Sequence, residues 1–340
     1  MKNLIFICFS MLFLMYMAAC QNSEKDVMIT VKQSGEMTVF GQPAADFETL
    51  KMILIDSLVR MATMPETIEV NFEGEVGMGT RHEVETIAAE AIAAAKLAKL
   101  APAVEQQVLR KQQGKDCDKA GDDDTRFDCA EVDLMYPVVL KGEKALQEAV
   151  AKWTNRYLFS ILEGNLRDSV QSATLDEAVR AFFKIHDDFK KEAGGPAMSA
   201  GNFRAMTNSN GGVLLNNGKY LTLAINGETY MGGAHGSPTE ALNTFDAQSG
   251  KILTWDDLVT DKAAVQALAE KKIRQERADI FKEGFDFDEI FKFQLPINYG
   301  LTPEGIFLYY EHYEIMPYAL GATEVTLTFE ELGELSKIKL

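Results

Sequence analysis

Among the side chains able to do acid–base chemistry, His235 stands apart. It lies in Tyr230-Met231-Gly232-Gly233-Ala234-His235-Gly236-Ser237, where three glycines crowd one ionisable ring. Glycine tolerates positive φ and lets a backbone come close to another group. The stretch is therefore either a sharp structural corner or the floor of a site. Tyr309, Tyr310, Tyr313 and Tyr318 form a second cluster near the C-terminus. Such rings bury an apolar body and keep a polar tip wet, so they serve equally as a binding surface and as the core and rim of the last strands. The expectation is that the glycines turn the chain so that His235 meets this aromatic segment. The binding residues would then be Tyr230, Gly232, Gly233, His235 and Gly236, with Tyr310 and Tyr313. The plainer alternative has His235 hydrogen-bond a backbone group or a carboxylate merely to hold the corner.

Other reactive constellations are missing from the sequence. No His-x-x-x-His pair exists among His82, His186, His235 and His312, so the commonest zinc spacing is not met. There is no Gly-x-Ser-x-Gly elbow and no phosphate-binding loop. The acidic segment around Asp116 and Asp118 continues with Ala120 before Gly121 and reaches Phe127 at the twelfth position, which departs from a calcium loop. Carboxylate pairs are too plentiful here to single out glycosidase chemistry. His82 reads as exposed and His186 as a boundary residue beside Asp187 and Asp188. These features point away from an enzyme, with His235 the one general base worth naming, and they imply no cofactor and no metal.

The first residues speak of location. Lys2 precedes an apolar run from Leu4 to Met17, and Met17-Ala18-Ala19-Cys20 reads as a lipobox. The run is shorter than a membrane span requires, and the small residues before Cys20 fit signal cleavage. Residues 1–19 would leave as a signal peptide. The mature chain would hang from a lipid on Cys20 in the cell envelope, in the outer membrane facing the periplasm or the cell surface. With Lys2 gone, 33 bases face 51 acids, a charge of −18. Nucleic acid and anionic headgroups need basic surface, so neither is expected as a main partner. The remaining cysteines, Cys117 and Cys129, are close enough in sequence to bond in an oxidising compartment.

The intervening pattern predicts an α+β fold in two domains, each a small mixed or antiparallel sheet packed by helices. The first would span 27–110, with strands at Val27–Val31, Met37–Phe40 and Thr67–Phe72. Helices are expected at Asp46–Met61 and Thr80–Leu100, the second opened by a Thr80/Glu83 capping box. Between Asp116 and Asp133 stand eight acids and two bases, which reads as an acidic linker over 111–131. The second domain would span 132–332. It offers helices at Gly142–Leu162 and from Thr174, the latter with Leu175, Val179, Phe182, Phe183 and Phe189 on its core face. Strands follow, with a type I′ hairpin at Asn217-Gly218. Helices from Thr254 and over 262–282, a strand carrying Phe291, Phe293 and Leu295, and strands at Ile306–Tyr310 and Glu324–Phe329 complete the chain.

Two resemblances attach to these motifs. The hairpin Val31–Val39 and the segment Ile68–Phe72, in the order strand, strand, helix, strand, helix, resemble the periplasmic domain of the ExbD/TolR family. That likeness implies a small packing or docking domain, since this chain lacks the transmembrane acid of that family. Residues 133–329 resemble the exported domain of unknown function that forms the extracellular part of the RsiV anti-sigma factor. The motifs are Tyr230–Gly236, Asn243–Gly250, Trp255-Asp256-Asp257-Leu258, Leu301–Ile306 and Tyr309–Ala319. The resemblance implies a non-catalytic receptor for a ligand, either a basic protein such as lysozyme or a cell-wall glycan. A related domain arrangement accompanies polysaccharide deacetylases, but Thr244-Phe245-Asp246 continues with Ala247 and lacks the second acid of their motif. The remaining alternatives are an envelope scaffold docking another protein, and a hydrolase- or deacetylase-related enzyme acting on wall glycan.

Overall fold

The computed structural model describes residues 28–61, 63–119, 128–164, 172–193, 204–232, 235–288 and 290–338. Residues 1–19, read above as a signal peptide, and Cys20 lie outside these residues. The chain divides into two compact units, Met1–Leu100 and Ala101–Leu340. Three small sheets packed by helices make it an α+β protein.

In the first unit, strands β1 (Met28–Lys32), β2 (Met37–Val39), β3 (Gln42–Ala44) and β4 (Glu69–Glu73) form one sheet in the order β3-β2-β1-β4. β1 and β2 are antiparallel, while β4 runs parallel to β1. The crossover between β1 and β4 carries helix α1 (Phe47–Arg60), capped where Asp46 accepts a hydrogen bond from the Thr49 N–H at 2.7 Å. Leu50, Leu54 and Leu58 of α1 are fully buried against Ile29, Val31 and Val39. Helix α2 (Met78–Leu100) buries Ala88, Ala91 and Ala95 in the same core; their small side chains allow close approach. Because α2 begins at Met78, Thr80 lies inside its first turn and is not the cap the sequence suggested.

The second unit opens with a strand that the sequence reading missed. β5 (Ala103–Gln113) pairs antiparallel with β6 (Ala130–Lys141) from Ala103↔Lys141 to Gln113↔Ala130. Residues 111–131 are therefore not a linker between domains. They are the ends and the loop of one hairpin, and the division falls at Leu100. Cys117 and Cys129 are joined at the ends of this loop, Cα atoms 5.0 Å apart. Asp116, weighed above as a calcium ligand, accepts a hydrogen bond from the Asp128 N–H at 3.0 Å and pairs with Lys119. Asp128 in turn holds Lys190 at 2.6 Å.

β6 leads through helices α3 (Lys144–Glu163) and α4 (Leu175–Ala193) to β7 (Ala205–Asn216), which lies parallel to β6. β8 (Tyr220–Tyr230) and β9 (Ser237–Asp246) complete a five-stranded sheet in the order β5-β6-β7-β8-β9. Leu146, Val150, Leu158 and Ile161 of α3 cover one face of this sheet, against Leu134, Leu221, Leu223 and Phe245. Trp153 meets Phe245 edge to face at 5.7 Å. His186 on α4 is buried at 1% exposure, deeper than a boundary position, whereas Phe189 is 42% exposed and lies off the core face. The β7–β8 turn is not type I′. Positive φ occurs at Gly218 only, and the Asn217 side chain instead accepts from the N–H groups of Lys219 and Tyr220.

A three-stranded sheet, β10 (Asn298–Leu301), β11 (Gly305–Tyr310) and β12 (Thr323–Thr328), packs with helices α5 (Trp255–Leu258), α6 (Lys262–Glu276), α7 (Ala278–Lys282) and α8 (Phe329–Leu332). Its core joins Val265, Ala269 and Ile273 to Ile306, Leu308, Val325 and Leu327. Thr254 and Asp257 cap α5 reciprocally. Phe291, Phe293 and Leu295 do not form a strand. Phe293 instead packs on Phe287 and Tyr310, and the strand starts at Asn298. The small sheet is docked on the large one through β9. The Asn298 side chain accepts from the Leu242 N–H at 3.3 Å, and Thr244 Oγ1 accepts from the Leu301 N–H at 2.9 Å. That docking places the end of β11 beside the start of β9.

Candidate functional site: a histidine–tyrosine stack with an acidic border

The corner between β8 and β9 is built by two glycines with different tasks. Gly232 takes φ +92°, a conformation that side-chain-bearing residues rarely adopt. Gly236 is a close-approach position: a Cβ there would lie 2.0 Å from Glu228 Oε1. Gly233 lies outside the described residues. The corner exposes His235, whose Nδ1 is 2.8 Å from the carbonyl oxygen of Gly236. A carbonyl only accepts, so Nδ1 carries the proton and Nε2 keeps its lone pair in the neutral ring. The Tyr318 hydroxyl, 3.4 Å from the same Nδ1, is thus a ring contact and not a donor to it.

Tyr318 is the hub. His235 stacks on it with ring centres 4.9 Å apart and planes at 25°. His312 lies on it at 4.6 Å and Tyr313 at 5.6 Å. The loop that presents these rings follows β11 and is buckled by Glu314. Its carboxylate accepts from the N–H groups of Glu311 and Ile297 at 2.9 and 3.1 Å. Burial raises the Glu314 pKa despite those two donors. Tyr313 is 65% exposed and adopts φ +67°, a strained state for a tyrosine, held by the turn around it.

Beside the rings is a group of carboxylates. Glu240 on β9 faces Glu311 and Glu324, and its pKa is pushed up to about 7 by burial first, then by those two neighbours. The same burial and the same three acids push Tyr309 up to about 12. Glu311 is steadied by the Asn298 side-chain N–H at 3.2 Å. Burial is also what raises Tyr157, whose hydroxyl lies 2.9 Å from Thr239 Oγ1. No group of three acidic, histidine or cysteine side chains among the described residues is close enough to hold a metal ion.

The residues singled out in the sequence divide accordingly. His235 and Tyr313 come together, and Gly232 and Gly236 shape the corner. Tyr230 is half-buried at the end of β8. Tyr310 belongs elsewhere: it is fully buried, packs on Phe293 and lies in the core under β11. A strand alternates its faces, so only one of Tyr309 and Tyr310 can reach the acidic group, and that one is Tyr309. Glu240, Glu311 and Glu324 were missed. In a chain with 51 acids nothing in their spacing distinguishes them. His312 was legible as a ring among tyrosines, but not as a neighbour of His235.

Among the described residues, no helix is long and apolar enough to cross a membrane. No curated protein matches the chain significantly. The chain resembles a solved DUF3298 family protein from Pseudomonas aeruginosa PAO1, with 18% identity and a TM-score of 0.50, over 70% of this chain and 96% of that one. It also resembles a solved DUF3298 family member from Bacteroides fragilis NCTC 9343, with 19% identity and a TM-score of 0.49, over 70% and 95%. At these identities the first likeness speaks for the fold alone. Residues 256–330, from α5 to the start of α8 and including His312, Tyr318, Glu311 and Glu324, match the family described as "Protein of unknown function (DUF3298)".

Proposed function

We propose that this chain is a non-catalytic lipoprotein of the bacterial cell envelope, tethered through a lipid on Cys20, that binds a basic protein such as lysozyme. The observation that carries this reading is the ring stack of His235, His312, Tyr313 and Tyr318 beside Glu240, Glu311 and Glu324. Aromatic faces attract guanidinium and ammonium groups, and carboxylates bind them through charge-assisted hydrogen bonds. A net charge of −18, with Lys2 gone (33 bases against 51 acids), would steer a cationic partner toward the surface. The sequence resemblance to the extracellular domain of RsiV, a lysozyme receptor, points to the same ligand class.

Calorimetric titration with lysozyme, set against cytochrome c as a basic control, tests the reading. Lysozyme should bind at least tenfold more tightly than the control, about 1.4 kcal/mol, and lose that margin when Tyr318 becomes Ala. Equal, weak binding of both proteins would overturn it. Binding of wall fragments without lysozyme would move the site to the glycan reading. Glu240, held near neutral pH, is the one feature that favours a wall-glycan hydrolase or deacetylase, because a carboxyl poised there can act as acid or base. Release of reducing ends or acetate from peptidoglycan, abolished by Glu240→Gln, would establish that alternative.

A further inference from the structure

The two edges of the five-stranded sheet are treated differently. At β9 the small sheet occupies the edge region, and the Leu242 N–H is taken by the Asn298 side chain. β5, at the opposite end of the order, is eleven residues long and mostly exposed along its length. It contains no proline, and Val108 at its middle is 54% exposed. An open edge of this length presents a row of N–H and C=O groups suited to another strand.

We infer that β5 is a pairing edge for a second copy of this chain, joined antiparallel about a two-fold axis through Val108. The strand's own symmetry supports that occupant. In an antiparallel pair, directly opposed residues either both turn their backbone groups toward each other or both turn them away, so two identical strands must match residues of the same parity. With Val108 opposite itself, every residue from Ala103 to Gln113 finds a counterpart. Glu105 then stands opposite the partner's Lys111, and Lys111 opposite the partner's Glu105. Neither Glu105 nor Lys111 takes part in an ion pair among the described residues, whereas Arg110 is already held by Asp133 at 3.1 Å. Moving the axis to Gln107 would set Glu105 against the partner's Leu109 and Lys111 against the partner's Ala103, and would leave both ends overhanging. Cross-strand pairs of opposite charge favour a register, and like charges disfavour it. The fit of length, centre and charge thus selects one register, which gives a continuous ten-stranded sheet across the two copies. This inference is independent of the ligand reading above.

Crosslinking of the full chain in non-ionic detergent tests it, with no basic protein present. Val108→Cys sits on the axis, where opposed Cβ atoms are about 4.5–5.5 Å apart. A short bifunctional thiol reagent should therefore give a covalent dimer. Gln112→Cys, opposite the partner's Val104, should give none above the wild-type background. Lys111→Glu in the Val108→Cys chain should abolish the dimer band, and adding Glu105→Lys should restore it. Both charged side chains are exposed, so these changes leave the fold intact, and unchanged melting curves would confirm that. Equal crosslinking at 108 and 112, no dimer at 108, or a Lys111→Glu effect that Glu105→Lys does not reverse would each overturn the proposal.

Discussion

The rings of His235 and Tyr318 lie 4.9 Å apart and nearly parallel, although 83 residues of sequence separate them. The contact joins the β8–β9 corner to the loop after β11. It also gives the glycine-rich stretch a partner that no local pattern could supply. Because both rings sit at the surface, the contact adds little to stability and much to the shape of that surface.

Replacing either ring should separate those two effects. His235→Ala and Tyr318→Ala are expected to cost about 0.5–1.5 kcal/mol of stability, the ordinary worth of an aromatic pair. Lysozyme affinity should fall at least tenfold, or about 1.4 kcal/mol. Tyr318→Phe keeps the ring and should keep the affinity. A large loss of melting temperature with affinity retained would assign the stack to holding the corner.

The corner itself makes a second test. Gly232→Val forces a β-branched residue to φ +92° and should destabilise the second unit by about 1–2 kcal/mol or more. Gly236→Ala meets the Glu228 side chain, with Oε1 2.0 Å from the added Cβ. It should cost less stability, yet shift that carboxylate and weaken binding of a basic partner. Chemical denaturation and titration of both variants would check the contrast. Equal stability losses would show that Gly236 also serves the backbone.

Glu240 gives the site a pH dependence with a definite sign. Its folded pKa, about 7, lies above the ordinary 4.5, so the folded state holds this proton more tightly than the unfolded chain. Its contribution to stability is full below pH 4.5 and is lost as the pH rises through 7. Glu240→Gln should flatten that part of the stability profile by about 1–2 kcal/mol, after discounting for solvent screening at a half-buried group. Affinity for a basic ligand should increase from pH 6 to 8 in the wild type, and less in Glu240→Gln. Denaturant titrations across this range measure the first effect and calorimetry the second. An unaltered stability profile would place the Glu240 titration below this window.

The Cys117–Cys129 bond closes the β5–β6 hairpin, with Cys129 fully buried. A loop of this size within a folded unit contributes about 3 kcal/mol. The Cys117→Ser/Cys129→Ser variant should therefore lose about that much in urea denaturation of the second unit. A flexible linker would give no loss, so an unchanged midpoint would show the hairpin to be held by its ladder alone.

The proposed lipid tether is tested at Cys20. Labelled palmitate should enter the wild-type chain there, and Cys20→Ser should accumulate as unprocessed precursor. A correctly cleaved, soluble Cys20→Ser protein would assign the segment to ordinary signal cleavage.

The sequence by itself determined the elements with strong periodicity or a cap. Leu50, Leu54 and Leu58 fall on one helical face, and Asp46 and Thr254 start helices. Local patterns record such features because one face of each element is buried. β5 escaped notice because an edge strand with both faces largely exposed needs no alternation, and its glutamines and charges resemble a loop. The acidic run after it then looked like a linker, although the paired cysteines close it as a hairpin. The pattern singled out His235 and Tyr313, but it chose Tyr310, which is buried, where Tyr309 is the one that reaches the acidic group, since the face each presents depends on what covers β11. Only the tertiary structure brought Glu240, Glu311 and Glu324 together. Their meeting depends on how β10 docks against β9 through Asn298 and Thr244. Long-range docking of one sheet on another is a sum of many weak contacts, and no short stretch of sequence encodes it.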